Sequence, residues 1–286
     1  MATSRTLPSP GSAAIRLGGA LAAVVALAAC SAPKPPDAGS RSASPAARTA
    51  AAPVDPCSTA SGSCMHVLDV DVTGDGRSDP VGVESAAGTE SAAEIVTVHV
   101  GVDGGVRSVK LPATRSANAY TEPSDIFRGA FSLSRPQGAD IVVHLVPGAG
   151  DADQFAVIGW EDDRPTVLGQ PDRGRPAAGT PGVWYLQSSH GVQESVACRT
   201  PGEIAVVART PAPGGGTRTP GGGTRTPGGG TRTPGGGTRT EVTFRYSGDA
   251  WQQITTTTVA DSGFHDTWSA HEQAFDCTPL GSVPRS

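Results

Sequence analysis

Between Val96 and Val102 the chain alternates strictly: Val96, Val98, Val100 and Val102 fall on one face, with Thr97, His99 and Gly101 between them. A period of two is the mark of a strand buried on one side only. Asp103-Gly104-Gly105 then turns the chain into Val106–Leu111, which predicts a hairpin. Further apolar runs bounded by turn residues are Ile141–Val146, Phe155–Trp160, Thr166–Leu168, Val192–Cys198, Glu203–Arg209, Thr240–Tyr246 and Trp251–Val259. Glu161-Asp162-Asp163-Arg164 and Ser247-Gly248-Asp249 read as turns between adjacent members. A helical repeat is suggested only near Thr267–Phe275. Short strands this closely spaced predict a mostly β fold, a single antiparallel domain over 57–280 built as a sandwich or a partial propeller.

What precedes that domain is of another kind. Leu17 to Cys30 is apolar and uncharged, with Arg5 and Arg16 before it. A basic segment followed by such a run is a secretory signal, too short for a membrane span of about 20 residues. The run ends in Leu27-Ala28-Ala29-Cys30, which resembles the lipobox of bacterial lipoproteins. The resemblance implies removal of residues 1–29, a diacylglycerol or fatty acyl group on Cys30, and a place on the outer face of the cell membrane. An ordinary cleaved signal, or an uncleaved anchor, is the competing reading.

Residues 30–56 are rich in Pro, Ala and Ser without apolar periodicity, so they cannot bury enough surface to offset the entropy of ordering them. They read as a disordered tether, and a flexible coil of about 25 residues spans roughly 25–30 Å. Residues 281–286 read as a disordered tail.

Outside the membrane the cysteine count acquires meaning. The chain has five. Assigning Cys30 to lipid leaves Cys57, Cys64, Cys198 and Cys277 in an oxidising compartment, where two disulfides are expected. Of the three connectivities, Cys57–Cys64 and Cys198–Cys277 are favoured. Metal ligation is the weaker alternative, since no Cys-x-x-Cys or neighbouring His spacing occurs. The formal charge is −5 before two arginines are lost with the leader, which argues against nucleic acid as a partner.

From Gly214 the heptad Gly-Gly-Gly-Thr-Arg-Thr-Pro repeats three times and then truncates at Thr240. It has no apolar side chain, so neither a coiled coil nor a sheet ladder is open to it. It predicts a disordered loop over 210–240, expanded from a turn between two hairpin arms. A loop of that size costs only about 2 kcal/mol more than a tight one. Its arginines, Arg218, Arg225, Arg232 and Arg239, would be the contacts if it touched anionic lipid or polysaccharide.

The one chemical motif is Asp71-Val72-Thr73-Gly74-Asp75-Gly76-Arg77-Ser78-Asp79. Asp71, Thr73, Asp75 and Asp79 place oxygen at positions one, three, five and nine of a loop, with the Arg77 carbonyl at seven and Gly76 at the sharp turn. Hard Ca²⁺ wants six to eight oxygens wrapped in this way. Gly82 stands where an EF-hand has its Glu; the stretch instead resembles the calcium loops of FG-GAP/VCBS repeats, which lead directly into a strand, here Val81–Val83. Thr73 in place of Asp or Asn, and Pro80 after the last Asp, depart from that pattern. An Asp/Gly turn closed by its own hydrogen bonds, without metal, is the alternative. Ser132–Asp140 reads as a second copy that has kept the shape and lost the acids apart from Asp140. The layout as a whole resembles uncharacterised actinobacterial lipoproteins of the mycobacterial type, and the scarcity of lysine (Lys34 and Lys110 alone) fits a GC-rich genome. That resemblance implies surface attachment and supplies no activity.

Enzyme signatures are thin. Ser188-Ser189-His190 and His265-Asp266 hold suitable atoms, yet no Gly-x-Ser-x-Gly elbow occurs, and His265 and His271 are wrongly spaced for a zinc helix. His66, His99 and His144 read as surface or satisfied core residues. Trp160, Trp184, Trp251 and Trp268 read as core before glycan groove. The expectation is a non-catalytic, monomeric, membrane-tethered β module that binds an envelope protein or glycan, with calcium as its cofactor. An envelope hydrolase and a purely structural component are the alternatives.

Overall fold

The computed structural model describes residues 54–86, 94–115, 122–146, 152–173, 180–187, 191–211, 236–262 and 274–281. The leader, Cys30, the tether as far as residue 53 and the tail 282–286 lie outside them, as do Ser188–His190, His265, Asp266, Trp268, His271 and the repeat at 212–235.

The fold is mostly β, in three sheets laid down one after another. The N-terminal sheet is an up-and-down meander of β1 (Ser63–Val70), β2 (Asp79–Ala86), β3 (Glu94–Val102) and β4 (Gly105–Arg115). A one-turn helix, α1 (Pro123–Ile126), leads into the middle sheet of β5 (Phe127–Phe131), β6 (Asp140–Val146), β7 (Ala152–Glu161), β8 (Arg164–Leu168) and β9 (Trp184–Gln187). Strands β8 and β9 lie end to end along one edge of β7. The C-terminal sheet runs in the order β13-β12-β11-β10-β14, from β10 (Gln193–Cys198), β11 (Glu203–Pro211), β12 (Gly237–Ser247), β13 (Ala250–Asp261) and β14 (Phe275–Asp276). Pairing is antiparallel except between β10 and β14.

Packing explains why the middle strands are nearly continuous in apolar residues. Ile141, Val143, Leu145, Ala156, Ile158 and Trp160 face one way and join Val81, Val83, Val96, Val98 and Val100 of the N-terminal sheet. Val142, Phe155 and Val157 face the other way and join Val196, Ile204, Val206 and Phe244 of the C-terminal sheet. A sheet covered on both faces loses the polar half of the alternation, whereas β3 of the N-terminal sheet keeps it; on the far face of the C-terminal sheet Ala197, Ala205 and Val207 form a small buried cluster of their own. Each such buried aliphatic side chain contributes about 1.5–3 kcal/mol.

Both expected disulfides are present. Cys57–Cys64 closes a short loop before β1, and Cys198–Cys277 joins the end of β10 to the residue after β14. The second spans 79 residues, a closure that stabilises by about 4–5 kcal/mol in the chain-entropy account. Where a helical piece was suggested near Thr267–Phe275, the described part is Ala274, in a bend, and Phe275, in strand β14; the rest lies outside. Val54–Pro56, assigned by sequence to the tether, pack on the N-terminal sheet: a Cβ at Gly101 would stand 2.6 Å from the Val54 carbonyl oxygen, and one at Gly82 would stand 3.2 Å from Pro56. The flanks of the repeat do form the arms of one hairpin, but the ladder runs further than expected: Thr210 and Pro211 pair with Thr238 and Gly237, so Gly237–Thr240 of the last copy lie in β12 and not in a disordered loop, their backbone groups paired on both sides.

The short connections gather at one end of the stack. There the loop after β1 touches the loop after β5: Ala139 N–H donates to the Asp71 carbonyl at 2.7 Å, and Arg135 donates to the Val72 carbonyl at 2.7 Å. The tight turns at Asp103-Gly104, Asp162-Asp163 and Gly248-Asp249 sit at the same end; both Asp162 and Asp163 adopt positive φ, as a two-residue hairpin turn requires. The connections β2–β3, β6–β7 and β11–β12, at the opposite strand ends, contain the segments outside the described residues.

Candidate functional site

Three groups of polar side chains stand out, and the two loops at the short-turn end come first. Asp79, the first residue of β2, accepts the N–H groups of Val72 and Thr73 on one oxygen, both at 2.9 Å. Asp71 accepts from Gly74, Asp75 and Gly76. Asp75 takes the Arg77 N–H at 2.9 Å and the Arg77 guanidinium, whose other arm reaches Asp103 at 2.7 Å. The Arg77 hydrogen bonds hold the Asp75 carboxyl below the usual carboxylate range, while burial pushes Asp79 up. Gly74 and Gly76 have φ near +83° and +82°, the left-handed conformation that glycine adopts without strain.

The loop is thus closed by its own backbone donors. Among the described residues no three His, Cys, Asp or Glu side chains converge as metal ligands would. One atom is left over. Thr73 Oγ1 is buried beside Asp75 and Asp79, with no hydrogen bond of good geometry. The second loop repeats the frame: Asp140, first residue of β6, accepts the N–H groups of Leu133 and Ser134 at 2.9 and 2.6 Å, and the Ser134 hydroxyl at 2.7 Å. Asp140 is fully buried, and burial pushes its carboxyl upward.

The second group is a cavity of about 350 Å³ between the middle and C-terminal sheets, lined by Arg135, Trp160, Glu161, Leu168 and Tyr246 among others. Tyr246 donates its hydroxyl to Glu161 at 2.6 Å, and burial together with that carboxylate pushes the phenol upward. Trp251, from the next strand, packs edge-on to Tyr246 and donates its indole N–H to the Gly169 carbonyl. Trp184 is wholly buried, as core packing requires, and Trp160 is 9% exposed where it meets the cavity. Sequence reading did not foresee this place, because its aromatic and charged residues come from three separate segments.

The third group is built from buried histidines. His144 donates through Nε2 to Asp153 at 3.2 Å and accepts from Arg128 on Nδ1 at 3.0 Å. His99 Nε2 meets Glu84 at 2.8 Å and its Nδ1 meets the exposed Ser108 hydroxyl at 2.7 Å. Glu84 also accepts from Ser61 N–H, Ser61 Oγ and Gly62 N–H. Burial raises the Glu84 carboxyl, but these bonds outweigh it and leave it below the usual range.

Ser108, His99 and Glu84 follow the order nucleophile, base, carboxylate, but the ring is turned the other way from a serine hydrolase, in which Nε2 meets the serine. Ser108 also lies on the open face of a regular strand, away from the cavity. The trio instead fastens the segment before β1 to the outer face of the N-terminal sheet. His66 sits at the surface, paired with Asp69.

No helix among the described residues is long and apolar enough to cross a membrane. No family model, curated protein or solved structure matches the chain.

Proposed function

We propose that the chain is a cell-envelope lipoprotein, anchored through an acyl group on Cys30, whose β domain is a non-catalytic module binding an envelope glycan or protein. The observation that supports binding is the cavity at the short-turn end. Tyr246 offers ring surface, while Glu161 and Arg135 offer an acceptor and donors of opposite charge. An aromatic wall with a few fixed polar groups suits a polyhydroxylated ring or an extended peptide. The hydrolase reading keeps only Ser188, His190, His265 and Asp266, which lie outside the described residues.

Calcium belongs to the proposal as a structural ion. It would be held by Asp71, Thr73, Asp75, Asp79 and the Arg77 carbonyl, with the buried Thr73 Oγ1 lying between Asp75 and Asp79. An entering cation has to displace the Arg77 guanidinium from Asp75, which sets its affinity at the weak end of extracellular sites, about 10⁻⁴–10⁻³ M. Arg77→Ala is therefore expected to tighten calcium binding.

The test uses delipidated cell walls of the source organism. Protein carrying Cys30→Ser is expected to lose its fatty acid yet still bind the walls. Tyr246→Ala is expected to weaken that binding about tenfold. Equal binding by Tyr246→Ala removes the cavity from the account. Release of sugar or acid from the walls favours the hydrolase.

A further inference from the structure

Strand β13 is twelve residues long and forms one edge of the C-terminal sheet, paired among the described residues only with β12. Every residue from Gln252 to Ala260 is exposed, and two of the four exposed large apolar side chains among the described residues, Ile254 and Val259, lie on it. From Ala250 to Ala260 there is no charge and no proline. Natural edge strands are usually blunted by lysine, proline, a bulge or brevity. Here the one such device is the irregularity at Ile254, where the register with β12 slips between Thr243 and Phe244. Beyond it, Thr255-Thr256-Thr257-Thr258-Val259 is a regular run of β-branched residues, the side chains that suit a pleated surface best.

We propose that β13 is a self-association edge, and that two copies of the chain join there antiparallel about a two-fold axis through Thr257. An axis normal to the sheet keeps each face on its own side, so residues pair at equal distances from the centre. Thr257 then meets the same residue of the second copy, Thr256 meets Thr258, and Thr255 meets Val259. Each contact sets one β-branched side chain against another, and no like charges face each other.

A second copy fits better than a foreign peptide. An added peptide strand takes its specificity from pockets for alternate side chains, and a row of threonines offers none. The pairing also closes on itself. The other edge of the same sheet is β14, two residues long, so head-to-tail growth has no second strand of matching length.

Two measurements on the full chain test this. In sedimentation velocity across a micromolar to submillimolar series, mass is expected to climb towards twice that of one chain. Thr257→Lys, which sets two lysines at the axis, is expected to weaken the association about tenfold or more. In a Cys30→Ser background, mild oxidation of Thr257→Cys is expected to give a covalent dimer, whereas Asp249→Cys in the adjoining turn stays a monomer. The cysteine variant keeps the test open should the lysine variant fold poorly. A monomer at all concentrations overturns the proposal. So does association that Thr257→Lys leaves unchanged, or cross-linking equal at positions 249 and 257, since either places the contact elsewhere in the chain.

Discussion

Asp79 and Asp140 occupy the same place in neighbouring sheets: each opens the second strand and gathers two backbone N–H groups from the loop before it. Around Asp79 the loop carries Asp71, Asp75 and Thr73; around Asp140 the matching stretch reads Ser132, Ser134, Arg135, Pro136 and Gln137. Two loops so alike in backbone and so unlike in side chain share the terminal aspartate as their common anchor. In the first loop Asp71 and Asp75 add further bonds to backbone N–H groups and to Arg77, and no carboxylate of the second loop takes their place. That difference, more than the spacing of the acids, motivates a cation at the first loop and not at the second.

The largest expected effect sharpens this division. Asp140→Ala strands two buried N–H groups and the Ser134 hydroxyl, and is expected to cost about 3–4 kcal/mol; Asp79→Ala, at a slightly more exposed site, is expected to cost about 2 kcal/mol. Urea midpoints at unchanged slope measure both. A trivial cost for either would mean the turn is set by something other than its last aspartate.

Arg135 comes next, because it joins the loops by donating to the Val72 carbonyl and also lies near Asp140. Arg135→Ala is expected to cost about 1–2 kcal/mol in the same assay. If the loss vanishes when Gly138, whose Cβ would crowd that guanidinium, is replaced as well, the two loops are coupled there.

The pH dependence is smaller and has a definite sign. Burial raises the folded-state value of Asp140, so the folded chain holds this proton more tightly than the unfolded chain does. Its contribution is therefore fully present below the ordinary carboxylate value near 4 and is lost as pH rises through the raised one. The stability of wild type minus that of Asp140→Asn is expected to fall across that window; a flat difference would contradict the burial argument. Smallest is calcium. At about 2 mM it is expected to stabilise wild type by roughly 0.6 kcal/mol for a dissociation constant near 1 mM, and to leave Asp75→Ala unchanged.

Strand β3 was legible because Thr97, His99 and Gly101 alternate with Val96, Val98, Val100 and Val102 and so preserve the period of two. The three-layer arrangement was not read from sequence, although Ile141–Val146 and Phe155–Trp160 carried its sign: runs apolar on both faces belong to a sheet covered twice. Strand β1 escaped notice because His66 and Asp69 interrupt its apolar residues, and β5 because Gly129 sits at its centre. The disulfides followed from parity and compartment. The cavity did not, since Arg135, Trp160 and Tyr246 are brought together only by the stacking of two sheets. Glu84 was missed for a similar reason: nothing local marks a carboxylate as buried when a segment some twenty residues earlier covers it.

Peptide mapping of the mature protein by mass spectrometry, taken from membranes without reduction, tests the central claim most directly. The account predicts an N-terminal Cys30 bearing a diacylglyceryl mass, with Cys57 linked to Cys64 and Cys198 to Cys277. A mature chain that starts elsewhere without acyl groups, or that holds its cysteines as free thiols, would contradict it.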